Sequence, residues 1–128
     1  MNPFQQKGAF SWCELISSDV NAAKEFYAKL FDWTWKEEPM EGGKTYTTIK
    51  AGEQQVGGIF STEDALGAEK PTPHWGIYVT VEDVEETLKL AESMGGTVIV
   101  PATEIPQTGK FAVFSDPQGA VLSIIAYN

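Results

Sequence analysis

The sequence has no arginine, one cysteine and one histidine. Each shortage removes a class of function. Without arginine there is no planar guanidinium fork to grip phosphate or carboxylate through paired hydrogen bonds. The nine bases are all lysine and face 18 acids, for a formal net charge of −9. Such a chain offers no cationic footprint to nucleic acid. Cys13 alone cannot close an intrachain disulfide, which fits a reducing compartment. No apolar run approaches the roughly 20 residues that span a bilayer. The opening segment, Met1 to Phe10, lacks the apolar region of a secretion signal. The expectation is an acidic cytoplasmic protein that engages neither nucleic acid nor membrane.

What remains is enough to fold. Apolar residues make up 42% of 128 positions, so a core can form and disorder is excluded. Phe10 to Ile16 reads as a strand with Phe10, Trp12, Glu14 and Ile16 on one face. Ser11, Cys13 and Leu15 take the other face, and Cys13 is expected as an inert core thiol turned toward a helix. Ser17–Ser18–Asp19 supplies N-cap chemistry. Val20, Ala23, Tyr27 and Leu30 then recur at helical spacing, with Glu25 and Lys29 as a favourable i,i+4 pair. The helix should run from Val20 to Phe31. Strands follow at Thr34–Glu37, Thr45–Ala51 and Gln55–Phe60. The stretch 61–73 reads as an exposed linker.

The second half repeats the order. His74–Val81 is a strand, and Asp83 with Glu86 forms a capping box. Val84, Leu88, Ala91 and Met94 form a helical stripe that Gly95–Gly96 stops. Strands Thr97–Val100, Lys110–Phe114 and Val121–Tyr127 follow, the last two joined by an Asp116–Pro117–Gln118–Gly119 turn. A shift of 64 positions carries Asp19–Val20 onto Asp83–Val84. It carries Trp35 onto Ile99, and Thr47 and Ile49 onto Phe111 and Val113, without a gap. The fold class is therefore α+β, one domain of two βαβββ modules at about 8–60 and 74–128. Each half is too small to bury a sufficient core alone. Mixed sheets with helices outside would then curve around a concave pocket.

At this point the chain resembles the vicinal oxygen chelate superfamily: glyoxalase I, the bleomycin-resistance proteins and the extradiol dioxygenases. SSDVNAAKEFYAKLFDW is similar to that family's first helix, with its acid and its Phe26–Tyr27 pair. VTVEDVEETLKLAESMGG resembles the second helix. FAVFSDPQGAVLSI resembles the closing hairpin. The resemblance covers about Phe10 to Tyr127. It implies four metal-ligand positions, filled in the catalytic members by His, Gln or Glu. The first lies seven residues before the helix-start acid, at Trp12. The second lies six before Glu82, at Gly76. The third falls at Gly57, Gly58 or Ile59, and the fourth, four after Gly119, at Ser123. Indole, glycine and a serine hydroxyl do not make a divalent-metal cage. Moving two residues along each strand substitutes Glu14 and His74. The two moves run in opposite directions, which separates the side chains by roughly 13 Å at about 3.3 Å per residue. No metal and no cofactor are expected.

The candidate ligand-binding residues are Trp12, Glu14, His74, Gly76, Tyr78 and Ser123. Trp12 is an aromatic wall or a core residue. Glu14 is a base, an anchor for a cationic group, or a strand-end acid. His74 is a pocket residue or an edge residue. Gly76 leaves space beside Trp12, and Tyr78 and Ser123 carry hydroxyls that can orient a ligand. Cys13 has no adjacent base and no setting that would make it a nucleophile. The function expected is metal-independent handling of a small molecule, cationic or aromatic, by a homodimer. Two alternatives stand beside it. One is a metal-dependent lyase, isomerase or dioxygenase of the same superfamily. The other is a non-catalytic interaction module whose cavity is filled.

Overall fold

Strand alternation and helical spacing place the elements close to where the sequence puts them. The computed structural model describes residues 2–65 and 71–128. It contains β1 (Phe10–Ser17), α1 (Val20–Phe31), β2 (Thr34–Pro39), β3 (Thr45–Ala51), β4 (Gln54–Ser61), β5 (His74–Thr80), α2 (Val84–Ser93), β6 (Thr97–Ile105), β7 (Gly109–Ser115) and β8 (Val121–Tyr127). The class is α+β, built from two βαβββ modules. Part of the expected linker, 66–70, lies outside the described residues. Its start does not: Ser61 ends β4, and Thr62–Asp64 forms a 3-10 turn.

By contact, the chain divides into two compact units. One is Trp12–Trp75. Its strands lie in the order β2-β3-β4-β1, with β1 parallel to β4 and the other neighbours antiparallel. The parallel pair needs a crossover, and α1 provides it. Asp19 caps α1 by accepting the Ala22 N–H at 3.0 Å. Asp32 ends it in the left-handed region at φ 60°. Leu15, Ile49 and Ile59 form the buried core, and Val20, Ala23 and Tyr27 of α1 pack on it with Trp33 and Trp35. Lys24 of α1 forms an ion pair with Glu37 of β2.

The other unit is Gly76–Asn128 together with the N-terminal eleven residues. Its strands run in the order β5-β8-β7-β6, with β5 parallel to β8. Val81, Val84, Leu88, Ala112 and Ile124 form its core. Asp83 caps α2 through the Glu86 N–H at 3.0 Å, as the capping-box spacing predicts. β6 continues through Pro101 to Ile105, beyond the Val100 at which the sequence expectation ends it. Pro101 is tolerated because β6 is the edge strand and its pairing shifts register on either side of Val100. The N-terminal segment is tied down here. Gly8 N–H bonds the Thr80 carbonyl at 2.8 Å, Thr80 N–H bonds the Ala9 carbonyl at 2.9 Å, and the Thr80 hydroxyl bonds the Pro3 carbonyl at 2.7 Å.

Two expectations need correction. The gapless repeat holds for the helices but fails in the strands. Trp35 packs in the first core, yet a shift of 64 sends it to Ile99, which is 42% exposed. Its true counterpart is Val98, which packs on the second core. Likewise Ile49 corresponds to fully buried Ala112, not Val113. The second module is one residue shorter between helix start and second strand: Val20 to Val84 is 64 positions, but Thr34 to Thr97 is 63. A one-residue slip exchanges the faces of a strand, so the error moved core residues to the wrong side. Cys13 is the second correction. It shares its strand face with Leu15, but it lies outside the core under α1 and is exposed.

Candidate functional site

Leu15 points into the core beneath α1, so alternation turns Trp12, Glu14 and Ile16 to the opposite face of the first sheet. Across the strands, Glu14 pairs with Gly58 of β4, and Gly58 pairs with Thr48 of β3. Tyr46, two residues before Thr48, shares that face. Gly58 has no side chain, and the Tyr46 ring lies over it. A Cβ at Gly58 would sit 1.7 Å from the Tyr46 hydroxyl oxygen and 2.3 Å from Cζ. Only glycine permits this approach.

The path across Gly58 lets Tyr46 reach two residues on the strand beyond. Its hydroxyl donates to Glu14 Oε2 at 2.8 Å. It accepts from Trp12 Nε1 at 3.1 Å. The Tyr46 ring also tilts against Phe60, with centroids 6.4 Å apart. Trp12, Glu14, Tyr46 and Phe60 are all half-buried. The result is a group of aromatic side chains with a carboxyl group held against the Tyr46 hydroxyl. Such an arrangement accepts hydrogen bonds from a donor or cationic group, and it offers ring faces to a flat molecule.

The sequence expectation names Trp12 and Glu14 as candidates and omits Tyr46, whose hydroxyl bonds both. The available signal was Gly58. A glycine inside a strand marks a bulge or a close approach, a meaning separate from the ligand position that the resemblance puts at Gly57, Gly58 or Ile59.

The remaining candidates are placed as follows. His74 is exposed at the start of β5, and its Nδ1 donates to the Thr72 carbonyl at 2.7 Å. Gly76 is half-buried. Tyr78 and Ser123 are both buried and face each other as a register pair of β5 and β8. They lie on the sheet face opposite α2, because Val79 and Ile124 take the α2 side. Tyr78 tilts against Phe111 at 6.3 Å. The structure thus brings Trp12 to Glu14 through Tyr46 in one unit, and Tyr78 to Ser123 in the other.

The same second unit holds Tyr127, whose hydroxyl lies 2.8 Å from that of Ser11. Burial pushes the Tyr127 phenol above its ordinary value, and the Ser11 hydrogen bond pulls it partly back. Phe4 packs edge-on against the ring at 5.0 Å.

A divalent metal does not fit this donor set. Trp12, Gly76 and Ser123, the positions the resemblance points to, offer poor ligands, and the indole N–H of Trp12 is a donor committed to Tyr46. Among the described residues, no three His, Cys, Asp or Glu side chains converge to hold an ion. No described helix is long and apolar enough to cross a membrane.

Paired βαβββ modules, each with a sheet face turned away from its helix and carrying aromatic and polar side chains, define a class of α+β proteins. This chain belongs to the glyoxalase/bleomycin resistance protein/dioxygenase superfamily, whose model matches residues 9–124. Among curated relatives, it is 35% identical to CFP32 of Mycobacterium tuberculosis, a provisionally named glyoxylase. That match covers 94% of this chain and 44% of the relative. It is 30% identical to the anthracycline biosynthesis protein DnrV of Streptomyces peucetius, over 91% of this chain and 46% of the relative. The chain spans less than half the length of these relatives. Among solved structures, hypothetical protein BH1468 of Bacillus halodurans matches with a TM-score of 0.64 at 13% identity, over 94% of each chain. Methylmalonyl-CoA epimerase of M. tuberculosis matches at 0.61 and 11% identity, covering 94% of this chain and 89% of that one. These two likenesses concern the fold alone.

Proposed function

We propose that the chain binds a small organic molecule, without a metal, against the face of its first sheet opposite α1. Trp12 and Tyr46 supply the aromatic surface and Glu14 the acceptor. The observation that carries this reading is the hydrogen-bond chain from Trp12 through Tyr46 to Glu14. It fixes both rings and the carboxylate before any ligand arrives, which lowers the ordering cost of binding. A fixed carboxylate between rings selects a flat molecule bearing a cationic or hydrogen-bond-donating group. The net charge of −9 would draw a cation in from a distance. DnrV is named for anthracycline biosynthesis, so planar polycycles with an amine belong in any ligand panel. Tyr78 and Ser123 form a separate candidate surface within the second unit. The protein is further proposed to act in the cytoplasm as a homodimer.

Thermal shift against matched aromatic amines and aromatic carboxylates tests the reading. Amines should raise Tm and carboxylates should not. Trp12→Ala and Glu14→Gln should each abolish the shift. Hits that survive Trp12→Ala unchanged would remove the site. Stoichiometric nickel, zinc or iron in the purified protein would overturn the metal-free clause.

A further inference from the structure

α1 buries one side only, and none of its residues is fully buried. On its outer side Ala22, Phe26 and Leu30 follow one another at i, i+4 and i+8, so they form one stripe. Phe26 is 58% exposed and Leu30 56%. Phe31 and Trp75 extend the apolar area at 55% and 43%. These side chains are anchored rather than loose. Tyr27 contacts Phe26, Phe31, Trp33 and Trp75 with ring centroids between 5.1 and 6.2 Å, and Trp75 Nε1 donates to its hydroxyl at 3.3 Å. A rigid, exposed aromatic patch of this kind is characteristic of protein interfaces.

The charges beside the stripe indicate what covers it. Glu25 and Lys29 stand at intrahelical pairing distance, yet among the described residues neither joins an ion pair or hydrogen bond. They lie symmetrically about residue 27. An antiparallel copy of α1 related by a two-fold axis at that level would place Glu25 opposite Lys29 of the other copy, twice. The same axis would set Phe26 against its mate, about 3 Å apart along the helices, and Leu30 beside Ala22 of the other copy. Local charge also favours this helix. The α1 body carries Lys24 and Lys29 against Glu25, a net +1, while the α2 body carries Lys89 against Glu85, Glu86 and Glu92, a net −2. In a chain of net −9, self-association meets less repulsion at α1 than at α2.

We infer that the outer face of α1 is the contact surface for a second copy of this chain, in an isologous, antiparallel α1–α1 pairing. This rests on the proposal above that the protein is a homodimer, and it names the surface. Sedimentation velocity across a range of concentrations tests it with four variants. Phe26→Glu should weaken the dimer about thirtyfold or more, as loss of a central anchor does. Glu25→Lys and Lys29→Glu should each weaken it at least about threefold, and the double variant should restore it, because the pair is then reversed. Both charge positions are exposed, so these variants remain informative even if Phe26→Glu impairs folding. A dimer indifferent to all four variants would overturn the surface and leave the homodimer standing. A monomer at every concentration would overturn both.

Discussion

Alanine at Gly58 is the sharpest probe of the candidate site. Its Cβ would overlap the Tyr46 ring, meeting the hydroxyl at 1.7 Å and Cζ at 2.3 Å. The three nearest atoms it meets all belong to the Tyr46 side chain, so the ring must swing away. Two hydrogen bonds go with it. The neutral bond from Trp12 contributes about 1 kcal/mol and the bond to the Glu14 carboxylate about 1.5–3 kcal/mol. Water reaches these half-buried groups once the ring has left, which returns part of that sum. Replacing glycine by alanine offsets about 0.4–1 kcal/mol more through the unfolded state. The net expected cost is about 1–3 kcal/mol. In a Tyr46→Ala background the obstacle is gone, and Gly58→Ala should be neutral or stabilising by up to about 1 kcal/mol. Urea unfolding of the four proteins gives the coupling directly, provided the m-values agree. Gly57→Ala serves as the control. Its Cβ would meet the Cys13 carbonyl oxygen at 2.4 Å, so Tyr46→Ala should bring no relief there. An equal cost for Gly58→Ala in both backgrounds would refute the placement of Tyr46 and the site built on it.

Two further outcomes follow from the fold. Ile49→Ala should cost about 2–5 kcal/mol because Ile49 is 1% exposed, whereas Ile99→Ala should stay within about 0.5 kcal/mol; comparable losses at the two positions in urea unfolding would contradict the strand register. The phenol of Tyr127 is raised in the fold, so its protonated form is favoured there; that contribution is complete below the ordinary value of about 10 and is lost as pH rises through the folded value. Wild-type stability should therefore fall more steeply above about pH 10 than that of Tyr127→Phe, and parallel curves would count against a buried phenol.

Most of the architecture was legible because its signals are local. Asp19 and Asp83 announce their helices by cap chemistry, and alternation alone assigns Trp12 and Glu14 to one face of β1. The failures share a different cause. The register slip between the modules arises between helix start and second strand, where α2 is two residues shorter than α1 and the turn after it one residue longer; the local patterns stay intact but the strand faces exchange. β6 is expected to end at Val100, yet it runs on through Pro101 because it is an edge strand. Cys13 was assigned to the core because alternation gives a face but not how far along the strand a helix covers it. Tyr46 belongs to the site only through its reach across Gly58 to a strand more than thirty positions earlier, a relation that no window of sequence contains.

The N-terminal arm has a consequence for the order of events during synthesis. Ser11 bonds a tyrosine 116 positions later, and Phe4 rests on the same ring. At about 5–20 residues per second, roughly 6–25 s pass between the appearance of Ser11 and that of Tyr127. For that interval the arm has no partner at Tyr127, while the residues of the first sheet and α1 are already present. Cotranslational folding should therefore complete the intervening unit first and dock the segment from Phe4 to Ser11 on Tyr127 afterwards.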